Sequence, residues 1–390
     1  MAQASGTRAV ALASVGTGTV AFGIVAYARG KPPAVVVSER LVLPFAERPQ
    51  EQWIAAIRQS LTNVTQKAMS TYAKMPKTRP ITAVHAIIRP PWAQSRTVSV
   101  ETAYSGETHI STEIIEGLAR RALAEAHAPT ANFLEATVIR TALNGYPTSQ
   151  PAGKSAHKVE LSALVCVADP ALRAMVQEVM KAALPTLPVA MHAAAWSMLE
   201  IVRAQNAADV DCVILDVEEE GTASLVVRDG VLQSEGYVPE GIRTMLTRAL
   251  PDRPVEETLA NIRMIARQEC DPATCNTVED GLAKMEPDLV RAFGEFFASM
   301  GTPRRLPNML IVFAHDDLLP WLSRFFSRID FAQFTATAQP FEVAPQKAHT
   351  EASSAPAVGQ AAAAAELAIT LTLLEMYPEA THGALKPVAA

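Results

Sequence analysis

Cysteine is scarce in this sequence, and its scarcity excludes a fold stapled by disulfides. Only four cysteines occur in 390 residues, at positions 166, 212, 270 and 275, too few for a disulfide framework. Cys166 and Cys212 lie within apolar runs, as buried thiols usually do. Cys270 and Cys275 have neither a second pair nor a histidine beside them, so we interpret them as loop cysteines rather than zinc ligands. This usage fits a reducing cytoplasm.

Charge of one sign is not concentrated anywhere in the chain. There are 34 lysines and arginines against 40 aspartates and glutamates, a net charge of −6, and no basic block of the kind that marks a nucleic-acid groove. The eight histidines are too scattered to indicate a metal site. A hydrophobic content of 49% describes a globular chain, and its length suits two or more domains. We therefore expect no nucleic-acid partner.

One long uncharged run, Ala9 to Ala28, has the length of a membrane span. Its middle, however, carries Ser14 and the triplet Gly16-Thr17-Gly18, where a spanning helix would be most apolar. A Gly-Thr-Gly turn between two apolar runs predicts a β-hairpin instead. A third strand over Ala34–Leu43 and a helix over Gln50–Lys74 are predicted to follow. If Ala9–Ala28 spans a membrane instead, the alternative is a membrane-anchored binding protein.

A second hairpin is predicted near the middle of the chain. The apolar strand V-D-C-V-I-L-D-V contains Asp216. A short turn then carries Glu218 to Glu220 and the pair Gly221-Thr222, and a returning strand ends at Asp229-Gly230. The apolar strands bounded by turn residues are typical of a hairpin.

These two hairpins resemble the phosphate loops of the FtsA/PilM group of actin-like ATPases. S-V-G-T-G-T-V is similar to the group's first loop, D-I-G-S-x-S-V, and the second hairpin is similar to its D-I-G-x-x-x-T strand with an x-x-D-G turn. The resemblance implies an α/β, actin-like (ribonuclease H-like) fold of two lobes. The residues that it places at the vestige of a nucleotide site are Gly16, Thr17, Gly18, Asp216, Gly221 and Thr222.

All three nucleotide loops of that group are altered here. Ser14 replaces the acidic residue of the first loop, Glu218 replaces the glycine of the second, and Ala314 to Asp317 replaces the glycines of the adenosine loop. Each pair of like charges at about 4 Å costs on the order of 4 kcal/mol at a dielectric constant of ~20, so we expect three adjacent glutamates to repel a triphosphate. We therefore predict a protein with no cofactor and no enzymatic activity.

An insert over Ile81–Leu184 is predicted to have the order strand, helix, strand, strand. This order resembles the SHS2 module that the FtsA/PilM group carries at the same point. Within it, Trp92 and Arg96 have the composition of a partner-binding surface, and the alternative is that Trp92 caps the core of the insert. The predicted divisions are 1–80, first half of lobe I; 81–184, insert; 185–205, return helix; 206–346, lobe II; and 347–390, a loop and a closing helix.

The resemblance implies a scaffold rather than a catalyst. We expect protein partners in a type IV pilus or cell-division assembly, with possible self-association, in the cytoplasm and peripherally at the inner membrane. The rival hypothesis is a working ATPase in which Asp216 and Thr222 hold magnesium and ATP while the glutamates point away. A sugar kinase of the same fold class is disfavoured because the sequence has no motif for the sugar cleft.

Overall fold

Three β-sheets organise the chain. The computed structural model describes residues 8–16, 18–28, 31–43, 50–127, 133–206, 209–267, 269–301, 304–314 and 317–345. In chain order the elements are β1 (Arg8–Val15), β2 (Thr19–Ala28), β3 (Lys31–Val42), α1 (Gln50–Ala73), β4 (Ile81–Ile88), β5 (Ala93–His109), α2 (Thr112–Glu125), β6 (Phe133–Leu143), β7 (Tyr146–Pro147), β8 (Ser155–Ala168), α3 (Pro170–Ala183), β9 (Val189–Ala193), α4 (Ala194–Gln205), β10 (Cys212–Val217), β11 (Thr222–Arg228), β12 (Val231–Val238), α5 (Ile242–Ala249), α6 (Val255–Arg267), α7 (Pro272–Met300), β13 (Met309–Phe313), α8 (Leu319–Arg328) and β14 (Glu342–Pro345).

Two of the sheets have the same topology, which divides the chain into two lobes. Lobe I has the strand order β3-β2-β1-β4-β9, and lobe II has the order β12-β11-β10-β13-β14. In each, three antiparallel strands are followed by two strands parallel to the first. Parallel neighbours require crossover connections, and the helices supply them. The predicted two-lobed α/β architecture is therefore present.

The predicted hairpins are confirmed. β1 and β2 pair from Arg8 opposite Tyr27 to Val15 opposite Val20, so the uncharged run is a hairpin in the middle of a sheet. β10 pairs with β11 in the same way. Asp229 and Gly230, which join β11 to β12, both have positive φ angles, as a tight two-residue hairpin turn requires. None of the helices in the described ranges is long and apolar enough to cross a membrane.

The third sheet forms the insert, and its boundaries differ from the prediction. The sheet has the order β5-β8-β6-β7 with α2 packed on β5 and β8, so the chain order is strand, helix and three strands, of which β7 has only two residues. The predicted first strand, β4, instead pairs with β1 and β9 in lobe I. The helix α3 packs on α1 of lobe I. The insert proper therefore spans 93–168 rather than 81–184, and the predicted return segment 185–205 contains a strand, β9, as well as a helix.

Polar side chains cap the N-termini of α2 and α3. Ser111 Oγ accepts a hydrogen bond from the backbone N–H of Ile114 at 3.4 Å. Asp169 accepts one from the N–H of Leu172 at 2.9 Å, with Pro170 at the first helical position. Both side chains satisfy N–H groups that have no partner within the helix.

A buried chain of polar side chains joins the insert to lobe I. Glu135 of β6 accepts hydrogen bonds from His192 Nδ1 and from the N–H of Ala193, both at 3.0 Å. Nδ1 of His85 lies 3.1 Å from Nε2 of His192, within hydrogen-bonding distance. Burial, with a smaller electrostatic effect of His192, lowers the pKa of His85 to about 3. A carboxylate of the insert and two histidines of lobe I thus form one polar chain.

Two further contacts fasten the insert to lobe II. Arg203 of α4 donates from Nε to the carbonyl of Gly230 at 2.9 Å and from Nη2 to the carbonyl of Ile139 at 3.0 Å. The carboxylate of Glu235 in β12 accepts from the N–H of Ser95 in β5. Burial raises the pKa of Glu235 to about 7. The insert is therefore held by hydrogen bonds from both lobes.

One apolar core joins lobe I to the base of the insert and to one face of the lobe II sheet, and a second core lies within lobe II. In the second core, Phe293 and Phe297 of α7 are fully buried, and Phe297 contacts Phe326 and Phe331 edge-on. Aromatic pairs in this arrangement stabilise a core beyond the area they bury. The C-terminal loop and closing helix predicted over 347–390 lie outside the described residues.

The cysteines depart in part from the prediction. Cys166 and Cys212 are free and buried, as expected, and burial raises the pKa of Cys212 to about 12, so neither thiol is reactive. Cys270 and Cys275, however, are not two independent loop thiols. They form a disulfide across the start of α7, with Cα atoms 5.9 Å apart. No group of three or more metal-ligating side chains occurs in the part of the chain that the structure describes.

Candidate functional site

The turns of the two predicted phosphate hairpins lie against each other across the cleft between the lobes. A Cβ atom added to Gly18 would lie 2.5 Å from Cβ of Glu219, and one added to Gly16 would overlap the carboxylate of Glu218. Contacts this short do not occur between real Cβ atoms and their neighbours. Gly16 and Gly18 are therefore used for close approach between two protein loops. Thr17 lies outside the described residues.

Arg89 fills the centre of this contact. It follows β4 and is oriented by its own N–H, which donates to the carbonyl of Val15 at 3.0 Å. Its Nη1 lies 2.5 Å from the carboxylate of Asp216, and its Nε lies 2.8 Å from that of Glu218. Ser14 Oγ is 3.4 Å from the same Nε. The buried guanidinium therefore pairs with two acidic side chains of the second hairpin at once.

The other two glutamates of the turn also have arginine partners. Arg40 of β3 lies 3.0 Å from Glu219, and Arg243 of α5 lies 3.2 Å from Glu220. Arg243 also donates to the carbonyl of Leu43 in lobe I at 2.8 Å. Burial raises the pKa of Glu220, and Arg243 opposes this effect. The predicted repulsion among three carboxylates is thus balanced by three guanidinium groups.

The first turn of α5 is also occupied. The N–H of Ile242 donates to the carbonyl of Glu218 at 2.8 Å, and the N–H of Arg243 donates to the carbonyl of Glu219 at 2.9 Å. N–H groups at the start of a helix are the donors that bind phosphate in many proteins. Here two of them bind the backbone of the glutamate turn.

The remaining predicted residues of the second hairpin serve the fold. Thr222 is fully buried, and its hydroxyl donates to the carbonyl of Glu240 at 2.6 Å. Gly221 is packed so closely beneath Tyr237 that any side chain would overlap the phenol ring. Asp216 is held by Arg89. The structure thus brings Gly16, Gly18, Asp216, Gly221 and Thr222 to one region, as the resemblance implied.

An ion pair lies at the loop after β13, the loop that the resemblance compares with an adenosine loop. Asp317 receives two hydrogen bonds from Arg263 of α6, from Nε at 2.8 Å and from Nη2 at 2.5 Å. Positions 315 and 316 lie outside the described residues. A cleft of about 550 Å³ remains open between β3, α5 and α6 and is lined by Arg40, Arg243 and Thr247, among others. Two ion pairs, Arg40 with Glu219 and Arg263 with Asp317, lie in its lining.

The predicted partner surface consists of two residues in different environments. Trp92 is half-buried and packs against the large core of lobe I, rather than capping the core of the insert as the alternative supposed. Its neighbour along β5, Arg96, is exposed. A role for the pair in partner binding remains a prediction.

Sequence reasoning missed the three arginines that decide the chemistry of the site. Arg89 could have been found, because it follows an apolar strand parallel to β1 and such strand ends point to the same edge of a sheet. Arg40 and Arg243 carry no such signal. Arg40 is 179 residues away from Glu219 in sequence.

Comparison with known proteins identifies the fold through solved structures alone. No family model matches the sequence, and no curated protein is similar to it. A structure described as the PilM–PilN type IV pilus biogenesis complex is 14% identical, covers 94% of this chain and 98% of its own, and gives a TM-score of 0.54. The ethanolamine utilization protein EutJ from Carboxydothermus hydrogenoformans is 12% identical over 93% of this chain and 89% of its own, with a TM-score of 0.43.

A third structure, a Bacteroides thetaiotaomicron protein with an actin-like ATPase fold, is 8% identical over 82% of this chain and 88% of its own, with a TM-score of 0.35. The first of the three carries the inference, because its similarity extends over almost the whole of both chains. The protein therefore has the fold of the actin-like ATPases and, in its overall structure, is similar to PilM.

Proposed function

We propose that this protein is an actin-like assembly scaffold of the PilM type that neither binds nor hydrolyses ATP. One observation carries the proposal. The Glu218–Glu220 turn, paired with Arg40, Arg89 and Arg243, lies against the first hairpin in the region that the resemblance assigns to the phosphates of a nucleotide.

The chemistry of nucleotide binding supports this proposal. Phosphoryl transfer requires backbone N–H donors and a metal-bound water around the terminal phosphates. Here the N–H groups of Ile242 and Arg243 are bound to carbonyls of the turn, and Asp216 is bound to Arg89. A nucleotide would have to break these contacts and displace buried carboxylates, which costs several kcal/mol and lowers affinity to about the millimolar range.

The choice of a pilus assembly over a division complex rests on the similarity to the PilM–PilN structure, which covers 94% of this chain. By that analogy the chain would serve type IV pilus biogenesis through contacts with protein partners at the inner face of the membrane. The exposed Arg96 of β5 is one candidate contact. Fold similarity at 14% identity is an argument by analogy, so the partner requires a direct test.

Calorimetric titration with magnesium-ATP tests the nucleotide half of the proposal. We expect no heat of binding at micromolar protein and up to millimolar ATP. A dissociation constant in the micromolar range would overturn the proposal and restore the alternative of a working ATPase that uses Asp216 and Thr222.

Cross-linking in the source cells, followed by mass spectrometry, tests the partner half. We expect cross-links to pilus assembly proteins. Cross-links to a tubulin-like division protein instead would replace the pilus assignment with a division scaffold, and a protein that cross-links to neither would contradict the scaffold proposal.

A further inference from the structure

The three arginines that pair with the glutamate turn each contact the lobe opposite their own, so charged groups join the two lobes at this turn. Arg40 and Arg89 belong to lobe I, and they bind Glu219 and Glu218 of lobe II. Arg243 belongs to lobe II and binds Glu220 within it, but its second contact is the carbonyl of Leu43 in lobe I. The polar contacts thus come from both sides of one cleft.

These contacts are shielded from water. The side chains of Arg89, Asp216 and Glu218 are each about one-tenth exposed, as are those of Arg243 and Glu220. Salt screens buried pairs much less than exposed ones. Removing one member of a buried pair leaves the other charge unpaired, which is strongly destabilising. The two lobes therefore cannot separate here without hydrating several charges at once.

Three consecutive carboxylates held by three arginines have the charge pattern of a bound polyanion. Arginine is well suited to both carboxylate and phosphate because its planar donors match both groups. The turn also takes two N–H groups of the α5 N-terminus, donors that an anion would use.

We propose that the Glu218–Glu220 turn is a built-in anionic ligand that holds the two lobes closed, in the place of a separate nucleotide. Arg40, Arg89 and Arg243 form the site that it occupies. This inference rests on the proposed function, because it assigns the phosphate region to the chain itself. It adds that the closed arrangement of the lobes is permanent and does not depend on a nucleotide.

The distance between the lobes provides the test. Spin labels on Gln66→Cys in α1 and Lys284→Cys in α7, both exposed positions, report it by pulsed electron resonance in the full-length protein. In otherwise unmodified protein we expect one narrow distance distribution, unchanged by magnesium-ATP. In the variant with Glu218, Glu219 and Glu220 all changed to Ala we expect a longer and broader distribution. An unchanged distribution in this variant would overturn the proposal that the turn holds the lobes closed.

A charge swap distinguishes loss of the contact between the lobes from a variant that simply fails to fold. Arg40→Glu places like charges opposite Glu219 and should broaden the distribution, whereas the double variant Arg40→Glu/Glu219→Arg should restore it. Arg253→Glu is the matched control, because Arg253, just before α6, pairs with Glu257 of α6 in the same lobe, and it should change nothing. If the double variant did not restore the narrow distribution, the proposal that the turn holds the lobes closed would be contradicted.

Inorganic triphosphate supplies a second readout. We expect it to raise the melting temperature of the triple alanine variant by several degrees, because it would bind to the three arginines. The melting temperature of the wild type should not change. No stabilisation of the variant would contradict the assignment of the arginines as an anion site. Micromolar binding of magnesium-ATP by the wild type would instead overturn the proposed function, so the two failures are distinguishable.

Discussion

Arg89 Nη1 lies 2.5 Å from Oδ2 of Asp216, and both side chains are buried between the two lobes. The two residues are 127 positions apart in sequence. Asp216 is the carboxylate that the resemblance to actin-like ATPases places beside the metal and phosphate of a nucleotide. In this protein it is instead one half of an ion pair between lobes, which joins the chemistry of the site to the stability of the fold.

Arg89→Met should destabilise the protein by about 3–5 kcal/mol, because it removes the buried cation that pairs with both Asp216 and Glu218. Urea unfolding measures the change. Arg96→Met, an exposed arginine on the adjacent strand, is the control and should change stability by less than about 0.5 kcal/mol. Equal effects of the two substitutions would show that the buried pair does not stabilise the lobes.

Gly18→Ala should destabilise the protein by about 1–3 kcal/mol, since the new methyl group would overlap Cβ of Glu219. Gly117→Ala is the matched control. Gly117 lies inside α2 with open space around it, so alanine there should stabilise the protein by up to about 1 kcal/mol. Thermal unfolding of both variants checks the sign, and a neutral Gly18→Ala would refute close contact between the two turns.

Glu235→Gln should make the protein less sensitive to alkaline pH. Burial raises the pKa of Glu235 to about 7 in the folded protein, above its value of about 4.5 in the unfolded chain. Its contribution to stability is therefore complete below pH 4.5 and is lost as the pH rises through 7. Glutamine keeps an acceptor for the Ser95 N–H without a charge to ionise, so at pH 8 we expect the variant to be more stable by on the order of 2 kcal/mol.

Denaturant unfolding of wild type and variant between pH 4.5 and 8 measures the effect of Glu235. Glu107→Gln, at an exposed position of β5, should leave the pH dependence unchanged. Parallel curves for wild type and Glu235→Gln would contradict a buried carboxyl at this contact.

His85→Gln should make the protein less sensitive to acid. The pKa of His85 falls to about 3 on folding from about 6.5 in the unfolded chain. The corresponding stability is present above pH 6.5 and is lost as the pH falls from 6.5 toward 3. Glutamine can still donate to His192 but does not titrate in this range. The unfolding midpoint of the wild type should therefore fall more steeply between pH 6 and 4 than that of the variant, and identical slopes would argue against a buried neutral His85.

A fragment of residues 93–168 should fold cooperatively by itself, because its sheet and α2 enclose a core that includes Val100, Leu118 and Leu161. A fragment of residues 81–184 should be less soluble. It adds β4, which would have lost both neighbours in its sheet, and α3, whose partner α1 would be absent. Circular dichroism during urea titration checks both, and a non-cooperative 93–168 fragment would show that the insert depends on the lobes.

Local patterns in the sequence determined many elements of this protein. The Gly-Thr-Gly turn between apolar runs fixed the first hairpin, and Ser111 and Asp169 marked two helix starts, because turns and caps are decided by residues a few positions apart. The loops that resemble a nucleotide site were also identified in this way. The boundary of the insert could not be identified from the sequence, because an apolar strand such as β4 does not show in its sequence which sheet it will join.

The tertiary structure alone decided the chemistry of the cleft. The sequence placed three glutamates in one turn and predicted electrostatic repulsion, since only neighbouring charges are visible along a chain. The partners of those glutamates come from β3, from the residue after β4 and from α5, and the fold brings them within hydrogen-bonding distance. The same carboxylates therefore stabilise the closed cleft, because the energy of a charge depends on which groups lie near it in space.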